Sequence, residues 1–174
     1  LFIITAVFIF FAFSPAADAS EIFYDEIFDA LSQDVSALME KFGIKIIPIN
    51  FAVIEQRMKT AAEDYKDEIA EYEQYFLTNY ELDDLTPKYI KPMATMVAMY
   101  KHLFEEFNLD AVSAECWTAM QQLVGAMPCT SYGILADMGY LISCETDMHA
   151  VMTQVLLKAL TFGKSVPFLG EFTT

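Results

Sequence analysis

Between residues 51 and 80, apolar side chains recur at steps of three or four: Ile54, Met58, Ala61, Tyr65, Ile69, Tyr72, Phe76 and Tyr80. That spacing lines one face of an α-helix, and a stripe of this length must be covered by other apolar surface. Asn50 stands where an N-cap is needed. The same period recurs in Ile22, Phe23, Ile27, Leu31, Val35 and Leu38, a series that stops at Gly43, and in Met96, Val97, Tyr100, Leu103 and Phe104. Thr86 and Pro87 read as an N-cap followed by a first-turn proline, with Pro92 expected to disturb any helix there. Asp110 or Ser113 can cap a helix that ends before Pro128. A shorter helix over 131–142 and a last one over 146–162, stopped by Gly163, complete the set. No segment alternates with period two for long, so the sequence predicts an all-α fold, a single-domain helical bundle of about five to six helices.

Residues 1–13 form an apolar run, followed by Pro15 and the small-residue pattern Ala17-Asp18-Ala19. This reads as a cleaved signal peptide over 1–19 that lacks its charged start, ahead of an acidic all-helical domain over 20–174. About 13 apolar residues are too few to span a bilayer, so no membrane span is expected in the mature chain. The expected localisation is therefore secreted, extracellular. The net charge of −15 argues against nucleic acid and anionic membranes as partners. The charge is uneven. Residues 20–110 carry 19 acids against 8 bases, whereas Asp137 is the only charge over 117–143. The latter stretch is expected as a buried antiparallel hairpin wrapped by acidic helices.

That hairpin holds all three cysteines. If its two arms are helices, their rise of about 1.5 Å per residue puts Cys129 at the tip, far from Cys116 and Cys144. The outer two then return to the same end, and a Cys116–Cys144 disulfide is expected. Cys129 is left as a free or intermolecular thiol at an exposed turn, where it could link a homodimer.

His102 with Glu106, and His149 with Glu145, are i, i+4 pairs, a spacing that chance supplies readily in a glutamate-rich helical chain. No metal site is predicted from them. No G-x-S-x-G, P-loop, H-E-x-x-H or EF-hand pattern occurs, so no catalytic residues, no cofactor and no enzyme are expected. The run containing Glu63, Asp64, Asp67, Glu68, Glu71 and Glu73, interleaved with Tyr65, Tyr72, Tyr75 and Tyr80, reads as a solvated face. Ten methionines and 15 phenylalanines give a soft apolar interior. Two functions follow as expectations. One is a secreted, non-enzymatic carrier of an apolar small molecule or lipid, held by Met96, Tyr100, Phe104, Trp117, Met120, Met152 and Leu156. The other is a secreted interaction or structural protein whose acidic, tyrosine-rich helix meets a basic protein partner.

Overall fold

The computed structural model describes residues 5–10, 40–81, 87–116 and 119–167, with the backbone alone for 5–10 and Pro87. Most of these residues are helical, as the 3.6-residue period requires. The all-α expectation is corrected by a four-stranded, wholly parallel sheet. Its strands are β1 (Thr5–Phe10), β2 (Lys45–Asn50), β3 (Ala111–Ser113) and β4 (Leu141–Ser143), in the order β2-β1-β3-β4. In register, Phe8 lies beside Pro48 on one side and Ser113 on the other, while Val112 pairs with Ile142. Strands of a parallel sheet are covered on both faces and read as short apolar runs, so their sequence shows no alternation. Pro48 sits on an edge strand, where its missing N–H can face away from the neighbour. The β1 segment belongs to the apolar run expected as a signal core; residues 11–39, including the cleavage motif and the first amphipathic series, lie outside the described residues.

Helices α1 (Phe51–Asp64), α2 (Lys66–Asn79) and α3 (Pro87–Phe107) carry the chain from β2 to β3. Helices α4 (Ala119–Val124) and α5 (Cys129–Asp137) carry it from β3 to β4, and α6 (Met148–Leu160) follows. The expected hairpin of long helices is thus a strand–helix–helix–strand unit, and Asp110 and Ser113 flank or end a strand instead of capping a helix. The Asn50 cap forms as expected, with its Oδ1 accepting from the Ala52 N–H at 2.8 Å. The long apolar stripe is divided at Tyr65, whose backbone leaves helical geometry at φ −115°, ψ 34°. Tyr65 N–H still donates to the Ala61 carbonyl at 3.0 Å, and its own carbonyl accepts from Ile69 N–H at 2.9 Å, so the stripe continues across the break. Pro92 lies inside α3 without ending it.

Alternation along β3 and β4 divides the core. Val112 and Ile142 face the main cluster with Ile54, Ile69, Phe76, Met96, Tyr100 and Leu103, drawn from α1, α2 and α3. Ala111 and Leu141 point the other way, against Val151 and Val155 of α6. Helices therefore cover both faces of the sheet, the arrangement of a doubly wound α/β layer. Each fully buried side chain of this kind contributes about 1.5–3 kcal/mol by leaving water.

Candidate functional site at the carboxyl edge of the sheet

From β1 the chain winds to β2 on one side, then returns across the sheet to β3 on the other. The winding direction reverses between β1 and β3, the position at which open parallel sheets take ligands along their carboxyl edge. The segment leaving β3 begins Ala114-Glu115-Cys116; that leaving β4 begins Cys144-Glu145-Thr146. Two backbone hydrogen bonds tie them together: Ala114 N–H to the Ser143 carbonyl at 2.9 Å and Thr146 N–H to the Ala114 carbonyl at 3.2 Å. Glu145 and Thr146 hold φ of 60° and 56°, a left-handed conformation that costs a side-chain-bearing residue about 1 kcal/mol or more. This turn presents the Glu145 N–H to the Cys116 sulfur.

Three thiols meet at this edge. Cys116 is buried, Cys144 is half-buried and Cys129, at the start of α5, is exposed; all are free thiols. Hydrogen bonding toward Cys116 and toward Cys129 acts to raise the Cys144 thiol. The Cys144 hydrogen bond lowers the Cys116 thiol to about 7 against the opposing effect of burial, with help from the Glu145 N–H. The same contact raises Cys144, because its proton is held between the two sulfurs. The expected Cys116–Cys144 disulfide is not present, both thiols being free, and the two positions neighbour each other for another reason than the one foreseen. They follow neighbouring parallel strands rather than two arms of an antiparallel hairpin. Cys129 is exposed as expected, yet it is not remote. Helix α5 leads back to the amino end of β4, so it must begin at the carboxyl edge.

Glu115 adds a titratable group of unusual acidity. Burial, and then the charge on Cys116, raise its carboxyl to about 8, so at neutral pH it is largely protonated and can donate a hydrogen bond. Tyr132 fixes this segment by donating to the Glu115 carbonyl at 3.2 Å, and its ring meets Tyr100 edge-on at 5.6 Å. At the end of β3 the Ser113 Oγ is buried with no hydrogen-bond partner among the described residues. Together these place a neutral carboxyl, an acidic thiol and a buried, unengaged hydroxyl around the carboxyl end of β3.

A second polar group lies on the outer helices. Glu68 accepts hydrogen bonds from Lys101 at 2.6 Å, Tyr72 at 2.9 Å and the His102 Nε2 at 2.8 Å. Burial acts to raise its carboxyl, but these donors outweigh it and hold it below the usual range. The His102 ring stacks on Tyr65 at 3.8 Å and borders two open clefts. His102 does not engage Glu106, which forms a bidentate pair with Arg57 at 2.6 and 2.9 Å. Part of the acidic, tyrosine-rich stretch is therefore internal clamp rather than free face. Among the described residues no group of three or more His, Cys, Asp or Glu is arranged to hold a metal ion.

Of the residues expected to line an apolar cavity, Met96, Tyr100, Phe104 and Met120 lie together in the main core. Met152 is half-buried on α6, Leu156 is 58% exposed, and Trp117 lies outside the described residues. Sequence reasoning missed Glu115 and Ser143, and read Ser113 only as a helix cap and Glu145 only as a neighbour of His149. A signal was there: "AVSAEC" and "LISCET" each run two apolar residues and a serine, with a cysteine and a glutamate within the next three positions. Among the described residues no helix is long and apolar enough to cross a membrane.

No protein-family model matches the chain. It is 26% identical over 139 residues to a sulfoquinovose isomerase of Alkalicoccus urumqiensis, covering 79% of this chain and 30% of that protein. It is 34% identical over 71 residues to sulfoquinovose isomerases of Priestia aryabhattai and Priestia megaterium, covering 41% of this chain and 16% of each. The chain thus spans less than a third of the curated relatives it matches. These relatives are named as enzymes, which overturns both non-enzymatic expectations, the secreted lipid carrier and the secreted interaction or structural protein.

Proposed function

We propose that this chain is part of a sugar isomerase that acts on sulfoquinovose or a closely related sugar, and that the carboxyl edge of its parallel sheet holds the sugar. The likeness to sulfoquinovose isomerases over 139 residues carries the reading. The topology supports the place, because open parallel sheets take ligands where the winding reverses. Glu115 supplies a donor to a sugar hydroxyl or ring oxygen while it is protonated, which its value of about 8 allows at neutral pH. A neutral carboxyl also avoids placing a formal charge beside the anionic sulfonate of the sugar.

The test uses the complete polypeptide that carries this chain, incubated with sulfoquinovose and followed by proton NMR. Loss of the anomeric signals of the sugar is expected. No conversion and no binding at millimolar sugar would overturn the reading. The apparent affinity should weaken as pH rises past about 8. Glu115→Gln, which keeps a donor, should remove that dependence, whereas Glu115→Ala should bind roughly tenfold more weakly, the loss of about one hydrogen bond. Unchanged binding in Glu115→Ala would remove Glu115 from the site.

A further inference from the structure

We propose that Cys116, Cys129 and Cys144 form a three-thiol exchange site that reacts with low-molecular-weight disulfides. Cys129 is the point of attack, Cys144 the relay and Cys116 the final partner. The arrangement stands on the fold. Cys116 and Cys144 follow adjacent parallel strands whose last residues, Ser113 and Ser143, are register partners, and the segments after them are tied through Ala114 and Thr146. Cys129 opens α5 at the same edge. Exposure grades the three: Cys129 meets solvent, Cys144 is half-buried and packs on the core, and Cys116 is 4% exposed. A small disulfide can reach the first but not the last. Cys144 stands one residue past β4, beside the segment that carries Cys116 and at the edge where Cys129 opens α5, so an exchange can pass inward through it.

The Cys129 thiolate attacks one sulfur of RSSR; a Cys129–SR bond forms, the S–S bond of RSSR breaks, and RS⁻ leaves and takes up the proton that Cys129 released. Cys144 passes its proton to the hydrogen-bonded Cys116 thiolate, attacks the Cys129 sulfur and expels the second RS⁻, which takes up the proton that Cys116 then releases. The Cys116 thiolate then attacks Cys144, forming Cys116–Cys144, and Cys129 leaves and recovers a proton. Two protein thiols are oxidised to one disulfide and one RSSR is reduced to two RSH. In the last step the Glu145 N–H still favours the Cys116 thiolate, although the hydrogen bond from Cys144 ends once that thiol is oxidised. That step leaves the odd thiol in solvent, ready for reduction of the pair by the reverse path.

The experiment equilibrates the full chain with oxidised and reduced glutathione, quenches with an alkylating agent and maps the cysteines by mass spectrometry. No Lys or Arg lies between Lys101 and Lys158, so trypsin leaves all three in one fragment; cyanogen bromide cuts after Met120, Met127 and Met138 and separates them. The expected product has lost two hydrogens, joins the Cys116 and Cys144 fragments, and leaves Cys129 alkylated. Cys129→Ser, a change at an exposed position, should slow formation of that product by roughly tenfold. Cys144→Ser should trap a glutathione adduct on Cys129. Full alkylation of all three cysteines after equilibration with oxidised glutathione would overturn the proposal. So would a Cys129-linked dimer as the main product, or an oxidation rate unchanged in Cys129→Ser.

Discussion

Glu115 shows how one residue draws its properties from a place in the fold. It follows a three-residue strand, its backbone is held by Tyr132, and burial raises its carboxyl to about 8. The folded value lies above the unfolded one of 4.5, so the folded chain keeps a proton that the unfolded chain has lost. Stability from this group is therefore complete below pH 4.5 and declines as pH rises towards 8. Replacing Glu115 with Gln should raise the urea midpoint at pH 8 relative to the parent and leave it nearly unchanged at pH 4. An equal shift at both pH values would show that Glu115 titrates normally. None of this was legible in "AVSAEC" alone. A glutamate in an apolar stretch signals a buried acid only once its neighbours are known.

At the scale of elements, helices were readable and strands were not. The stripe from Ile54 to Tyr80 repeats every three or four residues because one face of α1 and α2 must meet the core, and the break at Tyr65 leaves that period intact. The strands carry no comparable mark. β3 and β4 have three residues each, buried throughout, and β1 lies between two neighbours, so its apolar residues resemble a signal core. Position in the sheet makes β1 the element with the largest structural consequence. Without it, β2 and β3 lose the strand that joins them, and backbone groups on both sides go unpaired. A chain over 20–174 should therefore lose cooperative unfolding and bind a hydrophobic dye, against a folded chain over 1–174. A sharp thermal transition in the shorter chain would show that β1 is dispensable.

For the whole molecule, one large cluster joins α1, α2, α3 and α5 to one face of the sheet, and a smaller one joins α6 to the other. Phe76 is fully buried in the larger cluster. Phe76→Ala should cost about 3–5 kcal/mol, read as a fall in the denaturant midpoint within a single transition. Two separate transitions would show that α2 unfolds independently of the sheet. The sequence by itself determined the predominance of helix, the helix faces that are buried, the Asn50 cap and the acidity of the chain. Each of these follows from neighbours a few residues apart, where the 3.6-residue period and side-chain capping act. Only the tertiary structure decided the parallel sheet, the reversal of its winding and the meeting of Cys116, Cys129, Cys144 and Glu115 at one edge. Pairing of parallel strands joins segments far apart in the chain, and a short strand covered on both faces carries no periodic mark of the partner it will meet.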